Sequence, residues 1–188
     1  MKPYYVFEHE PIPEQLCETI IRMGLEAKQH SSDIYKNNGD VHNPDVRNNT
    51  IAWLKNDSIS ELLSEYVKHA NVEAGWNFHI NSFEIPQFST YEQGQYYDWH
   101  VDMGVEKPTD VAFRKLSISV ALNETYTGGG FEIEEWGNPR DTRVKHIQAM
   151  KNTGAVIVFP SFMQHRITSV DAGTRYSLVG WFRGDMFK

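Results

Sequence analysis

The residues best suited to chemistry lie in the stretch Tyr96-Tyr97-Asp98-Trp99-His100-Val101-Asp102, "YYDWHVD". On an extended strand alternate side chains share a face, so His100 and Asp102 project together, with Val101 opposite. That places two candidate ligands on one metal ion. Taken alone the tripeptide is weak evidence. Eight histidines and ten aspartates in 188 residues supply roughly 0.4 such pairs by chance, and a surface or turn pair is the plainer reading. His165 shifts the balance, because it starts a strand just after a proline turn in "GAVIVFPSFMQHRITSV". Two histidines and one carboxylate are the ligand set of non-haem iron(II), with three coordination positions left open. Further on, Arg175 begins a strand on which Arg175, Ser177, Val179 and Trp181 share a face. Its planar fork matches a carboxylate bidentately, and Ser177 can add a hydroxyl donor. By itself, Arg175 is more readily read as a strand-end surface arginine.

These side chains need elements to hold them. From about Asn77 onward, short β-rich runs alternate with Gly, Asn and Pro turns: "NFHINSFEI", "FSTYEQ", "YYDWHVD", "KLSISVAL", "GFEIEEW", "TRVKHIQA", "GAVIVF", "HRITSV" and "RYSLVGWF". The pattern predicts an antiparallel sandwich or barrel. In "RKLSISVALN", Leu116, Ile118, Val120 and Leu122 form a core face. Ser117, Ser119 and Ala121 form a small, mildly polar face suited to lining a cavity. Upstream, "PEQLCETIIRMGLEAK" reads as an amphipathic helix with Leu16, Ile20, Met23 and Ala27 on one side. Residues 30–50 read as a polar loop, and "TIAWL" as a short strand. Ser58 and Glu61 suggest a capping box opening a second helix, whose face carries Ile59, Leu62, Leu63, Tyr66, Val67 and Ala70. The expected fold is mainly β: a jelly-roll (double-stranded β-helix) core with the N-terminal helices packed on one sheet. The chain reads as a single domain, with residues 1–76 as support and 77–184 as the core.

Composition narrows the classes. The chain is 40% hydrophobic, 23% charged and rich in aromatics at 13%, which is ordinary for a globular protein with an aromatic-rich core or cleft. Its formal charge is −7. With no Lys/Arg run to track a phosphate backbone, no nucleic-acid partner is expected. One cysteine, Cys17, excludes an internal disulfide framework and suits a reducing compartment. "MKPYYVFEHEPIPEQ" carries no uninterrupted apolar stretch, so neither a signal peptide nor a membrane span is expected, and the predicted location is cytoplasmic.

Taken in order, "YEQGQYYDWHVD", "RKLSISVALN", "YTGGGFEI" and the closing His165, Arg175 and Trp181 resemble the 2-oxoglutarate- and Fe(II)-dependent oxygenases, in particular the prolyl 4-hydroxylase-like branch. That branch carries Tyr-x-x-Gly-x-x-Tyr-x-x-His-x-Asp, here Tyr91, Gly94, Tyr97, His100 and Asp102. The resemblance spans roughly residues 77–184. It implies that His100, Asp102 and His165 bind Fe(II) and that Arg175, helped by Ser177, anchors the distal carboxylate of 2-oxoglutarate. Tyr91, Tyr97 and Ser117 would line the co-substrate pocket. It also implies O2 as oxidant, ascorbate as a reductant, and hydroxylation with release of succinate and CO2. Asp102 fills the position where a halogenase needs a small residue, which favours hydroxylation. Arg175 is the cation of the oxygen-sensing and bacterial members, where collagen-type enzymes carry Lys. A peptidyl proline is the substrate expected by analogy, since a family does not fix a substrate.

Other readings stay open. The same chemistry could serve a free amino acid or another small molecule, and the acidic balance argues against a nucleobase. A catalytically silent jelly-roll binding module is the alternative from another class. A zinc hydrolase would leave Arg175 unexplained. Arg114 and Trp181 are candidate substrate contacts, while Arg47 and Arg114 could equally make structural ion pairs. His9, His30, His42, His69, His79 and His146 read as surface or core histidines, with His79 nearest to exception. Glu132, Glu134 and Glu135 read as solvated, Trp99 as core, and Gly128-Gly129-Gly130 as a turn passing near the cavity. Loops 30–50 and 103–113 are the expected lids and substrate readers.

Overall fold

A computed structural model describes residues 1–7, 9, 11–32, 34–36, 39–41, 45–104, 112–135 and 143–185. Most of the 103–113 loop, part of the 30–50 segment, and His42 lie outside the described residues. The chain opens with β1 (Tyr5–Phe7), α1 (Glu14–Glu26), β2 (His30–Ser31), β3 (Ile34–Lys36), β4 (Gly39–Val41), β5 (Thr50–Trp53) and α2 (Asp57–Glu73). Then come β6 (Ser82–Phe83), β7 (Gln87–Tyr91), β8 (Tyr97–His100), β9 (Phe113–Ala121), β10 (Tyr126–Gly128), β11 (Phe131–Glu134) and β12 (Val144–His146). After a 3₁₀ turn at Gln148–Lys151, β13 (Val156–Pro160), β14 (His165–Ile167), β15 (Val170–Gly173) and β16 (Arg175–Gly184) complete the chain.

The major sheet runs β1-β13-β9-β16-β7-β5-β2, with β6 added against β16. A minor sheet runs β12-β11-β14-β8, and β10 and β15 form a two-stranded ribbon. Alternation sorts the major sheet's side chains into two cores. Leu116, Ile118, Val120, Val156, Val158 and Leu178 join the helical residues Cys17, Ile20, Ile59, Leu63, Val67 and Ala70. Ala121, Ile157 and Phe159 join Phe131, Ile133 and Ile167 of the minor sheet. Both β9 and β13 are therefore covered on two faces. This is the expected jelly-roll sandwich with helices against one sheet. Gly24 lets α1 sit directly on the sheet: a Cβ there would fall 2.3 Å from the Phe88 ring.

Several local expectations are corrected. The α2 N-cap is Asn56, whose side chain accepts from the Ile59 N–H at 3.0 Å, and the helix starts one residue before the expected Ser58 box. Segment 30–50 is not all loop, because β2 extends the major sheet beside β5 and β3 pairs with β4. Backbone pairing at a sheet edge needs no apolar pattern, so polar composition concealed these strands. Of "NFHINSFEI" only Ser82–Phe83 is strand. The Asn71 side chain instead holds both the N–H and the C=O of Phe78 at 2.9 Å, tying this stretch to α2. Residues 171–173 belong to β15, which pairs with β10. Trp99 is half-buried, with the Arg166 guanidinium 4.8 Å above its ring. Glu132 is not simply solvated, since it bonds Arg166 at 2.7 Å and lies 3.6 Å from His146.

Candidate metal centre and its cavity

Between the two sheets a cavity of about 830 Å³ is lined by His100, Asp102 and His165 together with residues of the major sheet. His100 ends β8 and His165 begins β14, and the register makes them direct cross-strand partners. Their rings lie 4.1 Å apart at 52°. Asp102 is beyond the strand, so simple alternation does not place it. The chain bends, and the N–H groups of Asp102 and Met103 both donate to the Ser161 carbonyl at 2.9 Å. That anchor returns the carboxylate to the imidazoles: Oδ1 lies 3.6 Å from His100 Nε2, and Oδ2 lies 3.6 Å from His165 Nε2. All three ligand atoms fall within 4.8 Å of one another. The described residues contain no other such group of three.

The protonation pattern suits a cation. His100 Nδ1 meets the Asp98 carbonyl at 2.8 Å, and His165 Nδ1 meets the Met163 carbonyl at 3.0 Å. With Nδ1–H donating outward, each Nε2 presents its lone pair to the cluster. Burial, reinforced by the neighbouring His165, holds the His100 pKa well below its ordinary value against the pull of Asp102, so the ring stays neutral. For Asp102 burial pushes upward, but His165, His100, Arg114 and a hydrogen bond from Ser117 prevail and bring it to about 2. Asp102 Oδ2 is nevertheless buried without a hydrogen-bond partner. Two imidazoles that turn Nε2 towards one under-bonded carboxylate are a donor set that fits a divalent metal ion.

Arg175 lies opposite on β16. It is 1% exposed and donates one hydrogen bond, from Nη1 to Ser177 Oγ at 3.0 Å. Nε and Nη2 are buried without partners. No carboxylate among the described residues pairs with it, so the guanidinium fits an anionic ligand. Tyr91 is its cross-strand neighbour, with the ring 5.4 Å from the guanidinium carbon. Tyr91 and Ser177 line the cavity.

The other expected residues divide. Tyr97 reaches the cavity because a bulge shifts the β8–β14 register, and its ring stacks on His100 at 3.4 Å. Burial raises its phenol to about 12, so it remains protonated. Ser117 does not line the cavity. It sits behind Asp102, 2.9 Å from Ser161 Oγ, while Ser119 on the same face does line it. Arg114 is engaged by Glu84 through two bonds of 2.7 and 2.5 Å and lies 4.0 Å over the Trp181 ring; both line or flank the opening. Sequence reasoning passed over Trp53 and Gln87 and read His30 as a surface or core histidine; all three lie on the cavity wall. The period-two pattern of "TIAWL" could have exposed Trp53, since Ile51 and Trp53 share a face. Arg47, left undecided from sequence, lines the cavity too. It bonds Asn49 at 2.7 Å and Gln87 at 2.6 Å, and stacks over Tyr97 at 4.5 Å. His79 lies apart from the cavity, near Asp185.

No described helix is long and apolar enough to cross a membrane. Two relatives are PKHD-type hydroxylases. The one from Hyphomonas neptunium is 31% identical over 128 residues, covering 66% of this chain and 54% of that protein. The one from Idiomarina loihiensis is 25% identical, covering 84% and 68%. The chain thus spans about half the length of the first of these relatives. In fold it is similar to a Pseudomonas putida prolyl-4-hydroxylase, with a TM-score of 0.71 at 20% identity over 98% of this chain and 94% of that one. A viral collagen prolyl hydroxylase from Paramecium Bursaria Chlorella virus-1, crystallised with 2OG, gives a TM-score of 0.67 at 20% identity, covering 97% of each chain. A Trichoplax adhaerens prolyl hydroxylase in complex with a hypoxia inducible factor peptide gives 0.67 at 18%, covering 96% and 83%. The profile of the 2OG-Fe(II) oxygenase superfamily matches residues 86–183, which is more than half the chain and includes the three clustered side chains and Arg175, and the chain belongs to that superfamily.

Proposed function

We propose that this chain is an Fe(II)- and 2-oxoglutarate-dependent dioxygenase that hydroxylates a C–H bond, with a peptidyl proline as substrate. The observation that carries it is a buried His-Asp-His cluster on the cavity together with a buried arginine whose unmet donors lie beside Ser177 and Tyr91 of the cavity wall. His100, Asp102 and His165 would hold the metal through Nε2, a carboxylate oxygen and Nε2, on the wall of the cavity. Arg175 and Ser177 take the distal carboxylate of 2-oxoglutarate, with Tyr91 as a wall. The bound metal and co-substrate supply the oxidation, in which O2 and 2-oxoglutarate become succinate and CO2 as C–H becomes C–OH. The chain supplies orientation and a dry setting. Tyr97 packs against the His100 ring, Phe131 and Phe159 shield His165, and the Ser161–Ser117 pair fixes the loop carrying Asp102. The reaction requires no general base.

The peptide reading is supported by the prolyl hydroxylase neighbours, one of them a peptide complex, and by the aromatic pair Trp53 and Trp181 at the cavity, 6.3 Å apart. The test is anaerobic addition of Fe(II) and 2-oxoglutarate to the metal-free protein, followed by the weak visible charge-transfer band of the chelate. The wild type should show the band, His165→Ala should lose it, and Arg175→Ala should need at least tenfold more 2-oxoglutarate. No band in the wild type at saturation would falsify the assignment and leave a binding module as the better description. Proline-containing peptides and free amino acids are then compared by succinate release.

A further inference from the structure

We propose that Arg47 and Gln87 form a carboxylate subsite on the cavity wall, so that the substrate carries an acidic group close to the carbon that is oxidised. The inference rests on the peptide reading above and names the kind of peptide: one with a carboxylate within about two residues of the proline. Arg47 is tied to the strand that carries His100. It forms a β-bridge with Tyr97, and the neighbouring Val46 carbonyl accepts from the Asp98 N–H at 2.9 Å. Its guanidinium then reaches across to the major sheet, where Nη2 donates to Gln87 Oε1 at 2.6 Å. Nε donates to Asn49 Oδ1 at 2.7 Å. The guanidinium carbon lies 4.5 Å from the centroid of the Tyr97 ring, and that ring stacks on His100 at 3.4 Å. A ligand held by Arg47 is therefore only an aromatic ring away from the proposed metal ligands.

What Arg47 lacks is a counter-ion. It is 7% exposed, yet both of its hydrogen-bond partners are neutral amides, and no carboxylate among the described residues pairs with it. Buried charges are as a rule paired, because an uncompensated one is costly. The remaining donors call for the same partner. Arginine only donates, so Gln87 must turn its oxygen to Arg47 and keep its NH2 for another acceptor. Neither that nitrogen nor Arg47 Nη1 has a hydrogen-bond partner among the described residues, and both side chains line the cavity. The charges already assigned leave no acceptor for them. Arg114, the other arginine on the wall, is engaged by Glu84. Asp102 is the only carboxylate among the described wall residues, and with a doubly charged 2-oxoglutarate it offsets a divalent ion and Arg175. Arg47 is left over. A carboxylate matches the guanidinium with one oxygen and can take the Gln87 amide with the other. The competing account is an arginine that merely ties the two sheets together. It predicts that losing the residue affects every ligand alike.

The test measures binding rather than turnover, by calorimetric titration into the anaerobic Mn(II)–2-oxoglutarate complex of the full chain. The probes are acetylated, amidated tetrapeptides with glutamate, or its neutral twin glutamine, placed on either side of proline. Free proline and prolinamide form a second pair. In the wild type a glutamate peptide should bind about tenfold or more tighter than its glutamine twin, the usual scale for a hydrogen bond to a charged group. Arg47→Gln should bring that ratio close to one, which the loss of a structural tie would not do. Equal binding of the twins in the wild type overturns the proposal and leaves the peptide reading standing, and so does a ratio that survives in Arg47→Gln. If proline outbinds prolinamide through Arg47 and no peptide binds, the carboxylate subsite holds and the peptide reading falls. If no probe binds, both fall. Should Arg47→Gln fail to fold, Gln87→Met removes one of the two donors and should lower the ratio, and an unchanged ratio there overturns the subsite.

Discussion

His100 and His165 are held in the same way, each with Nδ1 on the carbonyl two residues before it, so each Nε2 is committed before any metal arrives. This has a consequence for stability. In the fold His100 remains neutral well below the ordinary histidine pKa, whereas in the unfolded chain it takes a proton near pH 6.5. The unfolded state therefore binds more protons in that window, and stability must fall as pH drops below about 6.5. Asp102 acts in the same direction at lower pH: its stabilising contribution is present above about 3.8 and is lost as pH falls towards about 2. The expected slope from His100 is at most about 1.4 kcal/mol per pH unit. Denaturant titrations of metal-free wild type and His100→Gln between pH 7.5 and 5.0 measure it. Equal slopes in the two proteins would refute the account.

At the scale of elements, each part of the cluster is fixed by a different device. A cross-strand register sets the two histidines, and a pair of backbone hydrogen bonds to Ser161 sets the aspartate. The helices position nothing directly. They cover the far face of the major sheet, so α2 should be open to modest weakening without loss of the site. Replacing its cap, Asn56→Ala, removes the bond to the Ile59 N–H and should cost about 1 kcal/mol of stability. The 2-oxoglutarate affinity of the folded protein should not change. A loss of ligand affinity at full folding would show that α2 is coupled to the site. The elements legible in the sequence were those with a strong period: α1, α2, β9 and β16. The edge strands β2, β3 and β4 were not legible, because their hydrogen bonds come from neighbours and their side chains carry no apolar alternation.

At the scale of the whole molecule, the proposed metal ligands come from the minor sheet and the loop after it, and the arginine comes from the major sheet. A bound ion and co-substrate would therefore tie the two layers of the sandwich together. Mn(II) with 2-oxoglutarate should raise the melting temperature, by the equivalent of about 2.7 kcal/mol at a hundredfold excess over Kd. Asp102→Ala should abolish the shift, and a shift that survives in this variant would place the ion elsewhere. The sequence by itself determined the sandwich class and the candidate residues, in order, that the fold brings together. Period-two alternation, turn residues and the spacing of His100, Asp102, His165 and Arg175 are local properties of the chain. Only the tertiary structure decided how Asp102 reaches the cluster from beyond its strand, and why Ser117 supports the site while Ser119 lines it. Those facts depend on contacts between residues tens of positions apart, set by strand register and by the bend at Asp102 that Ser161 anchors, and no local periodicity encodes them.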